Sequence, residues 1–128
     1  VADADYPEDL LYHAEHDWAR VEGDEASFGI TWYAQDSMGE VVFFDPPKVG
    51  ARVSQDAPYT EVESVKAVSD VVSPLSGEII AVNDELADAP ERINEDPYGA
   101  GWLVRVKLSD PSETETLMDA AAYEATLA

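Results

Sequence analysis

The residue of this chain best placed for chemistry is Lys66, inside T-E-V-E-S-V-K-A-V-S-D-V-V-S-P-L-S-G at 60–77. It is the only Lys or Arg between Arg52 and Arg92 and stands among carboxylates that include Glu61, Glu63 and Asp70. A lone amine on a tight turn is one that a lysine-modifying enzyme can seize. On local composition alone the commoner reading is an exposed lysine that keeps a sheet edge soluble. His13 and His16 are the only histidines, three residues apart beside Glu15 and Asp17. Two imidazoles on no clear helix read as a surface or strand-end pair rather than a zinc site, which needs four ligands or three and a water. No G-x-S-x-G nucleophile motif and no phosphate-cradling glycine loop occurs. With 28 Asp and Glu present, closeness of two carboxylates in sequence carries little meaning for acid–base work.

Cysteine is absent, which excludes disulfides, thiolate nucleophiles and cysteine metal sites. Any thiol–disulfide chemistry must come from an attached group.

The elements around Lys66 follow from patterning. Two short runs rich in Val, Thr and Ser flank Lys66 and fit a pleated surface, so the simplest geometry is a hairpin with Lys66 at or near its tip. Upstream, Leu10–Tyr12, Trp18–Glu22 and Ala26–Ile30 read as strands, the last two joined through Gly23-Asp24. Thr31 is placed to cap a short helix over 32–38 that stops at Gly39. Val41–Phe44 is a compact apolar run ended by Asp45-Pro46-Pro47, expected to be a strand buried on both faces. Arg52-Val53, the run from Gly77 to Asn83 and Trp102–Leu108 add strands, the last with Arg105 and Lys107 on its wetter face. Residues 84–96 hold at most one or two helical turns. The acidic first nine residues read as a loosely held terminus. From Asp110-Pro111-Ser112 a helical tail is expected, with Leu117, Met118, Ala121, Ala122 and Ala125 as its apolar stripe. Eight or nine short strands with few helices make a small β-sandwich or flattened barrel.

The chain has 128 residues, 45% of them hydrophobic, which suits one folded domain. Its net charge is -21, with Lys48, Lys66 and Lys107 the only lysines. Such a surface disfavours nucleic acid and anionic membranes, both of which need cations. It suits either solubility in a salty medium or a basic protein partner drawn in by long-range attraction. No apolar run approaches the roughly 20 residues of a membrane span. The expected form is a soluble monomer.

The segment E-S-V-K-A-V-S-D at 63–70 resembles the lipoylation motif of the H proteins of the glycine cleavage system. The likeness extends through H-D-W at 16–18, F-G-I-T at 28–31, Y-A-Q at 33–35, G-E-V-V-F at 39–43, S-P-L-S-G-E at 73–78, I-N-E-D-P-Y-G at 93–99, G-W-L at 101–103 and L-M-D-A at 117–120, in the family's order and spacing. It covers about Leu11 to Tyr123. Biotin carriers would show M-K-M, and lipoyl domains of 2-oxoacid dehydrogenases D-K-A without the flanking extensions.

The resemblance implies a mainly β fold of the biotinyl/lipoyl-carrier type, a barrel-sandwich hybrid with short helices and a C-terminal helix. The whole of 1–128 would form one such domain with N- and C-terminal extensions. Lys66 would carry lipoate in amide linkage, with Glu63, Ser64, Val65, Ala67 and Asp70 completing the attachment motif. His16, Asp17 and Asp70 would line a cleft for the loaded arm. The implied role is a carrier and not an enzyme. It would shuttle the aminomethyl group of glycine among a pyridoxal-phosphate glycine decarboxylase, a tetrahydrofolate-dependent aminomethyltransferase and a flavin-dependent dihydrolipoamide dehydrogenase, after a lipoate-attaching enzyme has loaded it. Such a protein is expected in the cytoplasm, or in the mitochondrial matrix if a targeting peptide preceded Val1. Trp32 before Y-A-Q and F-F-D-P-P at 43–47 depart from the family pattern and are expected near a partner surface. They leave open an H-like lipoate-binding protein of a sulfur-oxidising heterodisulfide-reductase-like route or lipoyl relay. An unmodified acidic interaction module is the further alternative.

Overall fold

In a computed structural model, described over residues 5–127, nine strands form two antiparallel sheets. The strands are β1 (Leu11–Tyr12), β2 (Asp17–Glu22), β3 (Glu25–Ile30), β4 (Val41–Phe44), β5 (Arg52–Val53), β6 (Pro58–Ser64), β7 (Val68–Val72), β8 (Gly77–Val82) and β9 (Val104–Leu108). The larger sheet runs β1-β2-β3-β9-β8-β5, and the smaller runs β4-β6-β7. Between them lies a mainly aliphatic core that includes Val41, Phe44, Val62, Val71, Leu75, Ile79, Leu103 and Val106. Alternation along β9, with Val104, Val106 and Leu108 buried while Arg105 and Lys107 are not, is the period-two pattern of a strand with one wet face. Arg105 there pairs with Glu22 and Glu25 of the neighbouring hairpin, at 3.0 and 2.9 Å.

The expected fold class holds, and outside the hairpin around Lys66, whose ends the pattern left open, the strand boundaries fall within two residues of those read from it. The β2–β3 turn is Gly23-Asp24, with Gly23 at φ +66°, a conformation that favours glycine. The helix α1 (Trp32–Met38) starts where expected, its Thr31 hydroxyl accepting the Ala34 N–H at 3.2 Å. Short helices α2 (Glu85–Asp88) and α3 (Arg92–Glu95) occupy the 84–96 region.

Three expectations are corrected. Strand β4 is not buried on both faces: Val42 is 44% and Phe43 50% exposed. A register shift between Val41 and Phe43 makes Val42 the extra residue, while Phe43 pairs with exposed Glu63. An apolar run of four has no period from which a bulge can be read.

The tail is not one helix. It is a 3₁₀ turn over Pro111–Thr116, an extended Leu117, and only then helix α4 (Ala120–Leu127). Met118 exchanges backbone hydrogen bonds with Tyr12, and Asp119 accepts the Ala122 N–H at 2.8 Å, so the chain leaves one helix and caps a second. The buried residues of α4 are Ala120 and Tyr123; Ala121, Ala122 and Ala125 face water.

Nor is all of the first segment loose, as far as residues 5–9 show it. Tyr6 meets the rings of Tyr12 and Tyr123 edge-on, and the Tyr12 hydroxyl donates to Pro7 O at 2.7 Å. These rings belong to a second cluster, with Leu10, Trp18, Tyr98 and Ala120, that joins the two ends of the chain beside the larger sheet.

Candidate functional site

The tip of the β6–β7 hairpin is shaped by Ser64. Its buried hydroxyl accepts the N–H groups of Lys66 and Ala67 at 3.2 Å and donates to Ala67 O, while Ser64 N–H donates to Ala67 O at 2.8 Å. Val65 N–H donates to Glu40 O at 3.1 Å and ties the tip to the loop after α1. That loop is itself held by Asn94 of α3, which accepts the Val41 N–H and donates to Gly39 O, both at 2.9 Å. Satisfied at its backbone, the tip leaves the side chains of Val65, Lys66, Ala67 and Val68 exposed. Lys66 makes no ion pair among the described residues. Its stem passes over Gly39, where an added Cβ would lie 3.3 Å from Lys66 Cε.

Beside Lys66 opens a cleft of about 330 Å³. One wall is β7, through Ser69, Asp70 and Val71. The opposite wall is α1, through Tyr33, Ala34, Ser37 and Met38, and the end is closed by Glu15, His16 and Asp17. Thus Lys66, His16, Asp17 and Asp70, far apart in sequence, share one cavity. Glu63 lies on the outer face of the hairpin instead, among the residues of a separate hollow with Phe43, Asp45, Glu61 and Val68. The α1 wall was not singled out from sequence. Its spacing of 33, 34, 37 and 38 does mark one helical face, and that was the available signal.

Asp17 is the most unusual group. It is 1% exposed, and neither carboxylate oxygen has a hydrogen-bond partner. Burial, opposed by the nearby Asp17 backbone N–H and reinforced by Glu15 and Asp56, holds its pKa well above the ordinary carboxylate range. His13 Nδ1 lies 3.5 Å away but faces the Glu15 N–H at 3.0 Å. An N–H aimed at Nδ1 makes that nitrogen an acceptor, so the ring proton sits on Nε2, 2.6 Å from Asp56. His13 is therefore a buried link between two loops, not a surface residue, and gives Asp17 no hydrogen. The Tyr59 hydroxyl, also buried and unpartnered, is pushed up by burial and by Asp17.

His16 stands at φ +70°, unusual for a residue other than glycine, and its turn is fixed by backbone bonds from His16 N to His13 O and from Thr31 N to His16 O. Its ring packs on Tyr33 with centroids 4.6 Å apart, and its Nδ1 lies 2.8 Å from the Tyr123 hydroxyl. Burial lowers its pKa, against the opposing charge of Glu15. Asp70 is exposed at the cleft rim. Trp32 packs into the aromatic cluster, its N–H donating to Tyr98 Oη at 2.9 Å, whereas Asp45 is exposed.

A two-sheet sandwich that lifts one lysine on a hairpin is the biotinyl/lipoyl-carrier architecture. Residues 10–128 match the family described as glycine cleavage H-protein, and this chain belongs to that family. It is 51% identical over 122 residues to the glycine cleavage system H protein of Symbiobacterium thermophilum, covering 95% of each chain. To the protein of the same name from Rubrobacter xylanophilus it is 54% identical over 107 residues, 84% of this chain and 85% of that one. The crystal structure of a glycine cleavage system H protein from Mycobacterium marinum superposes with a TM-score of 0.87 at 39% identity, covering 94% of this chain and 98% of that one.

Proposed function

We propose that this chain carries lipoate in amide linkage on the Lys66 amine and serves as the mobile carrier of a glycine cleavage system. The observation that supports this reading is an unpaired, exposed lysine on a pinned hairpin tip beside a cleft with an unpartnered buried carboxylate. The lipoyl group, when attached, supplies a disulfide that accepts two electrons and a thiol that can hold the aminomethyl unit of glycine. Everything else falls to the chain. Ser64 and Val65 hold the tip so that the amine projects to an attaching enzyme, with Glu63, Ala67 and Asp70 completing the motif that enzyme reads. Tyr33 and Met38 give the cleft apolar surface that excludes water from the carried group. Asp17, its pKa raised by burial, faces the cleft with a carboxyl group that an arriving ammonium can pair with in its ionised form, a charge-assisted contact strengthened by burial. Asp70 meets the same cation from the rim, and His16 completes the wall.

The partners in this reading are the pyridoxal-phosphate glycine decarboxylase, the tetrahydrofolate-dependent aminomethyltransferase, dihydrolipoamide dehydrogenase and a lipoate-attaching enzyme. The chain presents one arm to each in turn and performs no bond chemistry with its own side chains. We place it in the cytoplasm, in keeping with its bacterial relatives. No helix among the described residues is long and apolar enough to cross a membrane. We treat 1–128 as one carrier unit whose ends build the aromatic cluster. The relatives give no support to the sulfur-oxidation alternative or to an unmodified module.

Intact-mass spectrometry after incubation with lipoate and a lipoate ligase tests the attachment. One lipoyl mass increment is expected on the native chain and none on Lys66→Arg, which keeps the charge. A native chain that gains nothing overturns the proposal. Exchange of labelled bicarbonate into glycine, run with the loaded chain and a matched decarboxylase, tests the pathway in the same way.

A further inference from the structure

The last helix reaches the cleft through Tyr123, whose ring meets His16 edge-on with centroids 5.8 Å apart. Tyr123 has no exposed surface, and its ring stacks on Tyr12 with centroids 4.8 Å apart and planes 11° from parallel. Its hydroxyl lies 2.8 Å from both Thr31 Oγ1 and His16 Nδ1. Three groups in line can be protonated in only a few consistent ways, and the helix cap selects among them. Thr31 Oγ1 already accepts the Ala34 N–H. Among the described residues its own hydrogen has one acceptor within bonding distance, the Tyr123 oxygen. Tyr123, receiving that hydrogen, has its own left to give, and His16 Nδ1 is there to take it. Burial pushes the Tyr123 phenol up to about 12, so this hydrogen is retained throughout the neutral range.

We infer that Tyr123 is a positioning residue: through the Thr31–Tyr123–His16 chain it fixes His16 as the neutral Nε2–H tautomer and turns a hydrogen-bond donor, not a lone pair or a cation, toward the cleft. His16 Nε2 has no partner among the described residues, so it is free to meet a ligand there. Resting on the carrier reading above, this divides the labour in the cleft. An imidazole N–H cannot hold an ammonium, which is left to the carboxylates of Asp17 and Asp70. The histidine is reserved for an acceptor on the same arm, a sulfur or an amide oxygen. A protonated His16 would repel an ammonium, and the chain opposes that state: with Nδ1 also a donor, the Tyr123 hydrogen would be buried without an acceptor. The ionisable groups around the ring are Glu15 and Asp17 beside it in the chain, Tyr33 from α1, Tyr123 from α4, and Lys66 and Asp70 across the cleft.

Long-range proton–nitrogen NMR of the His16 ring in the unloaded, full-length protein tests the tautomer without any cofactor. The native chain should show Nε2–H with Nδ1 unprotonated. Tyr123→Phe keeps the ring stack and removes the hydroxyl. It should raise the Nδ1–H population and move the His16 titration to higher pH, whereas Thr31→Ser, which keeps the hydroxyl and the cap, should leave both unchanged. A predominantly Nδ1–H ring in the native chain, which needs no variant to measure, overturns the inference, as does a Tyr123→Phe ring identical to native. For the loaded arm, Tyr123→Phe should shorten the half-life of the carried group in water by about two- to tenfold, the loss of one hydrogen bond's net contribution. A tautomer that shifts with no change in half-life overturns the assignment of His16 to the arm. Failure of the native chain to accept lipoate at all would instead strike the carrier reading and leave the tautomer standing.

Discussion

The hairpin tip and the aromatic cluster are built on opposite terms. At the tip, four consecutive side chains face water and the backbone does the holding, through Ser64 and the bond to Glu40. In the cluster the side chains do the holding, and several of the large rings spend their one polar atom on a specific partner. Trp18 Nε1 donates to Pro97 O at 3.0 Å, Tyr12 to Pro7 O, and Tyr123 reaches Thr31 and His16. The aliphatic side chains that dominate the core between the sheets can fix distances between elements, but they have no polar ends to extend. Aromatic rings do both, since each has an apolar body and a polar handle. The cluster thereby reaches His16 at the end of the cleft, while the tip contributes the proposed attachment point.

The comparison can be broken most directly at Trp18, whose ring lies flat on Gly29, where an added Cβ would approach to 2.5 Å. Trp18→Ala should cost about 3–5 kcal/mol in chemical denaturation, as for a large buried aromatic elsewhere. A loss below about 1 kcal/mol would show that the cluster is decoration and not a core.

Asp17→Asn sharpens the boundary between stability and function. Because the folded-state pKa of Asp17 is raised, the folded chain binds a proton more tightly than the unfolded one. Stability contributed by this group is therefore fully present below the ordinary carboxylate range and is lost as pH rises from there toward the raised value. The neutral amide should make the protein more stable than native at pH 7 and indistinguishable from it near pH 3, while weakening retention of a cationic cargo. Urea titrations across that range check the sign, and a native chain that gains stability from Asp17 with rising pH would refute it.

The smallest effect belongs to Phe43. Exposed in a row with Glu63 and Val68, Phe43→Ser should change stability by no more than about 0.5 kcal/mol, measured by the same urea titration. A larger loss would mean that the ring packs as part of the sandwich after all.

Much of this was legible in the residues. Gly23-Asp24, Thr31 and Gly39 punctuate the chain with side chains that have few other uses, and alternation marked β9 without ambiguity. The ordered family motifs brought Lys66, His16, Asp17 and Asp70 forward, although no spacing in the sequence says that they share a cavity. What stayed hidden has a common cause. The bulge in β4 and the break between the 3₁₀ turn and α4 both depend on a partner strand: Glu63 for one, Tyr12 for the other. A run of alanines drew attention to a stripe that proved exposed, while Tyr123, one ring between alanine and glutamate, was the residue that docks. The isolation of Asp17 was invisible for the same reason, since an absent partner leaves no trace in a sequence.

The bond from Val65 N–H to Glu40 O has a consequence for the life of the chain in a cell. The Lys66–Ala67 peptide bond has the composition that proteases cutting after basic residues seek, and exposed loop tips are where such nicks fall. A protease must draw several residues of main chain into its own groove, and here the amides of Val65, Lys66 and Ala67 are already committed to Glu40 and Ser64. An enzyme that needs only the amine meets no such obstacle. The same hairpin thus leaves its lysine amine open to reach and withholds its main chain from being cut.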